Sequence, residues 1–223
     1  MDYSLLSACP LFKGISTPDI EIIFSSIPFR IRKFQSGSMV CMGGEQVKSL
    51  LVVISGVVKG EMADYAGRVI KIEDIPAPGT IAPAFIFGKK NRFPVNVIAI
   101  SPVEILLIDK FDFLNLLKKN DSVLINFLDM ISNRSQFLTE KIKFLNFKTI
   151  KGKLAHYILQ RSVTDGNVLS LGLTQNDLAD FFGVTRPSVS RALGDLEREG
   201  YIVANGKNIK IINKKGLAEQ TTD

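Results

Sequence analysis

Four side chains in one short stretch, Arg186, Ser188, Ser190 and Arg191, are spaced to read a nucleic acid. A guanidinium can make two parallel hydrogen bonds to O6 and N7 of guanine, and serine hydroxyls can bond to bases or phosphates. That chemistry needs a helix with one dry face. Val189, Leu193 and Leu196 supply it, Thr185 takes the capping position, and Pro187 sits in the first turn, where a missing N–H costs little. Upstream, Thr174-Gln175-Asn176-Asp177 opens like a capping box, Leu178, Ala179 and Phe182 form a buried face, and Gly183 tolerates the left-handed turn that ends the helix. The pair reads as a helix-turn-helix, with Thr174, Gln175 and Thr185 joining the DNA-facing set. A merely solvated helix would also tolerate these arginines. Downstream, Gly200–Ala204 and Lys207–Ile212 read as strands joined by Asn205-Gly206, a wing whose Lys207 and Lys210 meet phosphates.

Other chemistries find little support. Two cysteines, Cys9 and Cys41, are too few for an iron–sulfur cluster or a cysteine-based zinc site and suit a reducing compartment. The single histidine, His156, excludes mechanisms that need paired histidines, and GxxxxGK[ST], HExxH and GxSxG are absent. An enzyme is not expected. The N-terminus lacks a secretory pattern, and no run approaches the ~18 apolar residues of a membrane span, so the expectation is a cytoplasmic protein without a membrane partner. A net charge of +6 favours an anionic partner without identifying it.

The elements that must position the reader precede it. Residues 1 to 28 read as short helices, with Thr17 and Pro18 ahead of Ile20, Ile23 and Phe24. From Phe29 to Ile108, short β-rich runs alternate with glycines, the rhythm of a barrel or roll. Within it, the runs Val52–Val58 and Val69–Ile72 flank a hairpin tip at Asp64–Arg68. Lys110–Lys118 reads as a short amphipathic helix. From Asp121 to Phe147 there is no proline or glycine, and Leu124, Leu128, Ile131, Leu138, Ile142 and Leu145 recur at alternating steps of four and three, with Ser135 interrupting at one slot. Either a coiled-coil seam or a core helix has that pattern. A second stripe, Phe127, Met130, Phe137 and Phe144, gives the helix two apolar faces and favours pairing: one face for the barrel, one for a second subunit.

Two stretches carry a family resemblance. The segment LTQNDLADFFGVTRPSVSRALGDLEREG resembles the helix-turn-helix of the Crp/Fnr family of bacterial transcription regulators, and the glycine rhythm with Ile54-Ser55-Gly56-Val57-Val58 resembles that family's cyclic-nucleotide-type roll. The resemblance implies an α+β chain: an N-terminal β-roll sensor over residues 1–120, a dimerisation helix over 121–149, and a winged helix-turn-helix over 150–223. It also implies a homodimer on palindromic double-stranded promoter DNA that recruits or blocks RNA polymerase. Arg186, Ser190 and Arg191 fall on the family's base-reading positions. Pro187 falls where many members carry a glutamate that reads cytosine, which leaves the half-site open.

The sensor departs from the nucleotide-binding pattern. Pro83 stands at the position of the glutamate for the ribose, and Phe93-Pro94 at the Arg-Ser pair for the phosphate. A buried phosphate without a charged partner costs several kcal/mol, so cyclic AMP is not the expected ligand, although Arg92 is adjacent. The cassette resembles instead the nitrosative-stress branch that controls the hybrid-cluster protein, which implies haem and nitric oxide as effectors. The expected pocket comprises Met62, Ile81, Pro83, Phe85, Phe87, Phe93, Pro94, Phe127 and Met130, with Arg68, Lys71 or Arg92 for the propionates. Met62 is the first choice of axial ligand, with Cys41 and Met130 behind it, yet a methionine equally fills gaps in a core. An effector there would repack Phe127, Met130 and Phe137 and shift the seam. The rivals are a ligand-free or otherwise liganded sensor, a regulatory subunit acting on a protein partner, and an architectural DNA binder without sequence preference.

Overall fold

A computed structural model describes residues 2–63, 69–145 and 147–221. The chain divides into two compact units, Met1–Arg134 and Ser135–Asp223. The boundary between them falls inside the long helix rather than before or after it.

In the first unit, α1 (Tyr3–Ser7) and α2 (Thr17–Ser26) lead into the strands. Ser16, one residue before the expected start, caps α2 by accepting the Asp19 amide, and Pro18 occupies the first turn. Ile20, Ile23 and Phe24 are buried as their spacing requires. The strands are β1 (Arg30–Phe34), β2 (Met39–Cys41), β3 (Ser49–Ser55), β4 (Val57–Ala63), β5 (Val69–Pro76), β6 (Gly79–Ile81), β7 (Asn96–Ala99) and β8 (Val103–Asp109). They form two four-stranded sheets, ordered β1-β8-β3-β6 and β2-β7-β4-β5, and every pairing is antiparallel. The continuous run expected over Val52–Val58 is broken at Gly56, which takes φ +78° and sends β3 and β4 into different sheets. A β-carbon there would lie 2.2 Å from the Pro102 carbonyl oxygen, so the crossing admits glycine only. The hairpin tip at Asp64–Arg68 lies outside the described residues.

Two helices close this unit. Asp109 caps α3 (Lys110–Lys119) by accepting the Phe111 amide, and the Asn120 side chain accepts the Val123 amide at the start of α4 (Asp121–Leu145). Val123 and Phe127 are buried, and Leu124, Met130 and Ile131 pack partly against the roll. Asn126 ties α4 to the N-terminal segment by donating to the carbonyls of Leu11 and Lys13.

The second unit holds the end of α4, then α5 (Ile150–Asp165), β9 (Val168–Ser170), α6 (Gln175–Phe182), α7 (Arg186–Arg198), β10 (Ile202–Asn205), β11 (Asn208–Ile211) and α8 (Lys214–Glu219). Phe144 lies in its core, with ring centroids 5.0 Å from Phe181 and 5.1 Å from Phe182. Phe137 meets Phe181 at 5.6 Å. The second apolar stripe of α4 therefore does not serve the roll along its whole length: Phe127 and Met130 do, whereas Phe144 belongs to the helix-turn-helix core and Phe137, 40% exposed, touches its edge at Phe181. Spacing alone shows that a face is apolar, not which neighbour covers it.

Candidate nucleic-acid interface

Local hydrogen bonds fix the first reader helix. The Asp177 amide donates to Thr174 Oγ1 (3.1 Å), and the Thr174 amide and hydroxyl both donate to Asp177 Oδ2 (2.8 and 2.7 Å), the reciprocal capping box anticipated from sequence. These bonds hold the Asp177 carboxyl below the usual carboxylate range. Thr174 is thus committed to the cap, while Gln175 is half-buried beside it. Gly183 ends the helix at φ +68°, and Val184 bonds back to the Ala179 carbonyl, which turns the chain into α7.

On α7, Val189, Ala192, Leu193 and Leu196 are buried, and Arg186, Ser190 and Arg191 are exposed at the N-terminal end. Thr185 stands at the capping position but its side chain makes no capping bond; it shares a 2.9 Å hydrogen bond with Ser188 instead. That corrects the expected cap and leaves Ser188 half-buried and partly engaged. Arg191 donates from Nε to the Pro187 carbonyl at 3.4 Å. Arginines at an exposed helix N-terminus, above a face buried in its own domain, can enter a major groove as a rigid element.

The wing differs in two details. Asn205 pairs with Asn208, so the two turn residues are Gly206 and Lys207, one position later than Asn205-Gly206 suggests. This register puts Lys207 at the tip, and Lys210 is also exposed. A third strand, β9, joins the far side of β11. Tyr157 and Arg161 of α5 hold its end, Tyr157 by donating to the Leu171 carbonyl (2.7 Å) and Arg161 to that of Ser170 (3.2 Å).

Along α4, Leu128, Leu138 and Ile142 expose 53%, 46% and 62% of their surfaces. Leu124 and Ile131 are partly covered by the roll, and the Leu145 side chain lies outside the described residues.

The expected effector residues do not converge on one cleft among the described residues. Ile81 and Phe127 are core, and Phe85 packs against it. Phe87 stacks on Phe113 (5.9 Å) and meets Phe127 edge-on (5.9 Å), so these rings fill one another's space. Phe93 is buried beneath a different hollow, beside exposed Pro94, and Pro83 begins a short 3-10 turn behind Ala82, which adopts a left-handed φ of +48°. Met62 is 43% exposed on β4, which removes its reading as core filler. Met130 accepts a hydrogen bond from Thr80 at its sulfur (3.4 Å), and Cys41 is buried, with its thiol pushed up to about 12. Of the proposed propionate partners, Lys71 pairs with Asp74 (2.6 Å), Arg92 donates to the Gly44 carbonyl (2.7 Å), and Arg68 lies outside the described residues. Of the donors named for haem, Met62 is the one whose surroundings leave it accessible.

Comparison with known proteins matches the two halves separately. Residues 31–120 match a cyclic nucleotide-binding domain, and residues 152–220 a Crp-like helix-turn-helix domain. The chain is 23% identical over 218 residues to an anaerobic regulatory protein of Bacillus subtilis, covering 95% of this chain and 91% of that one. It is 24% identical over 206 residues to the cAMP-activated global transcriptional regulator CRP of Salmonella typhimurium, covering 90% and 97%. Among solved structures, a transcriptional regulator from Thermotoga maritima aligns with TM-score 0.51 and 33% identity over 52% of this chain and 91% of that one. The catabolite activator protein of Thermus thermophilus aligns over 96% and 98% with TM-score 0.57 and 20% identity, which shows a shared fold. An α+β architecture of roll, long helix and winged reader, with both domain types matched in this order, places the chain in the Crp/Fnr family of transcription regulators, a family of DNA-binding proteins and not of enzymes.

Proposed function

We propose that the protein is a sequence-specific regulator that works as a homodimer, paired through α4 and reading a palindromic promoter with two copies of α7. The observation that carries this reading is a pair of exposures. Leu128, Leu138 and Ile142 leave an apolar seam open on α4, and Arg186 and Arg191 stand exposed at the tip of α7. A symmetric dimer closes such a seam with its own copy, and two readers about 34 Å apart meet successive major grooves. From such a site the dimer would engage RNA polymerase. Selection from random duplex DNA tests the proposal. A palindrome with half-sites about one helical turn apart supports it; recovery of unrelated sequences at equal affinity would overturn it in favour of architectural binding.

The sensor takes a non-nucleotide effector in this reading. Pro83 and the buried Phe93 occupy the positions that would hold ribose and phosphate, and the neighbouring Arg92 is engaged with the Gly44 carbonyl. The finer assignment, haem and nitric oxide in a nitrosative-stress response, rests on Met62 as an accessible thioether. An absorption spectrum of protein prepared anaerobically from haem-supplied cells, compared with Met62→Ala, tests it: a Soret band that moves on substitution supports the assignment, and its absence removes haem.

A further inference from the structure

A second feature of the roll meets the cassette only at Phe93 and lies apart from the reader. β1, β8 and β3 present one face to the segment that follows β2, and between them lies an open hollow of about 210 Å³. Its floor is apolar, with Leu51, Phe93 and Ile105 buried beneath it. Its rim is not. Arg30 and Arg32, two residues apart on the same face of β1 and opposite Leu107 and Ile105 of β8, line it together with Lys48.

These three cations are left uncompensated. Among the described residues the side chains of Arg30, Arg32 and Lys48 form no ion pair and no hydrogen bond, whereas Lys33, on the other face of the same strand, pairs with Glu104 at 2.7 Å. One carboxylate, Glu45, shares the rim, and it accepts the Met42 amide at 3.2 Å. Three positive charges against one negative leave an excess that suits a dianion. Guanidinium groups bind phosphate oxygens in pairs, with geometry that a lone ammonium cannot match. The hollow is smaller than the roughly 300–1,000 Å³ of sites for drug-sized ligands, so it fits a metabolite-sized body.

We propose that this hollow is a binding site for a small phosphomonoester, its dianionic phosphate held by Arg30, Arg32 and Lys48 and its compact apolar body seated on the floor of Phe93 and Ile105. It is independent of how the DNA-facing surface is read, because none of its residues belongs to that surface.

Isothermal titration calorimetry on the full chain, with phenyl phosphate as probe and benzoate and inorganic phosphate as comparators, decides the matter. Phenyl phosphate is expected to bind once per chain and more tightly than either comparator. Arg30→Ala with Arg32→Ala should weaken it about tenfold or more, as expected for lost charge-assisted hydrogen bonds. Both arginines are exposed, so the variant keeps its fold, checked by an unchanged melting temperature. Lys33→Ala controls for overall charge, and Arg186→Ala with Arg191→Ala for anion binding at the reader; both should retain wild-type affinity. The proposal fails if phenyl phosphate releases no heat, if the Arg30/Arg32 variant binds as wild type does, or if either control loses the affinity. Equal or tighter binding of benzoate overturns the dianion, and equal binding of inorganic phosphate overturns the apolar seat.

Discussion

Truncating the open seam of α4 gives the sharpest test of how the chain assembles. Complete burial of a leucine or isoleucine side chain contributes ~1.5–3 kcal/mol. Leu138 and Ile142 are 46% and 62% exposed in the single chain, so about half of that, ~1 kcal/mol each, remains to be gained on pairing. Each residue counts twice in a symmetric dimer. Leu138→Ala with Ile142→Ala, allowing for the methyl groups retained, should therefore cost about 3 kcal/mol of association, roughly a hundredfold in the dimer Kd. Sedimentation equilibrium over a range of concentrations measures this directly, and duplex binding should weaken in parallel. The protomer's own stability should barely change, because exposed substitutions usually stay within about 0.5 kcal/mol. An unchanged Kd, or a wild-type chain that is monomeric at micromolar concentration, would refute the argument, since the seam would then have another cover.

Three further outcomes are expected. Arg186→Ala should cost about 1–3 kcal/mol on the selected duplex and little on a scrambled one, whereas Lys207→Ala should weaken both alike and lower the salt slope by about one in gel-shift titrations. Gly56→Ala must place its β-carbon 2.2 Å from the Pro102 carbonyl at φ +78°. Since the left-handed backbone alone costs ~1–2 kcal/mol and the clash adds to it, the melting temperature by circular dichroism should fall by about 10 °C. Burial, reinforced by Glu45 and opposed by Arg32, pushes the Cys41 thiol up from 9.0 to about 12. Iodoacetamide at pH 8 should therefore leave Cys41 unlabelled in the native chain and modify it in urea. Because the folded value lies above the ordinary thiol value, this burial contributes stability that is complete below pH 9 and is lost as the pH rises toward 12.

The reader was legible in the sequence because its signals are local. Thr174 and Asp177 bond to each other three residues apart, Gly183 marks a backbone conformation that other residues resist, and the buried face of α7 repeats within a few turns. The wing slipped by one residue at Gly206-Lys207 because register is set across strands, by the pairing of Asn205 with Asn208. The split of the Val52–Val58 run turned on a contact between Gly56 and Pro102, remote in sequence, and only the glycine itself hinted at it. The scatter of the expected effector residues has a related reason. Phe87 and Phe127 look the same in sequence whether they line a cleft or pack on Phe113, and the choice depends on neighbours that spacing does not name. The rim arginines were missed altogether: Arg30 and Arg32 alternate with Ile31 and Lys33 in a strand whose exposure pattern carries no clean period of two.

Phe144 has one more consequence. Its ring is part of the same core as Phe181 and Phe182, while Leu138 and Ile142, within two turns of it, face outward. In the proposed dimer, this part of the pairing surface and the DNA-facing tips of α7 thus belong to the same compact unit. There, an effector that slides or rolls the Leu138–Ile142 stretch against its twin would carry the grooves' reading heads along with it, and the ruler that measures the operator would be the packing of two helices.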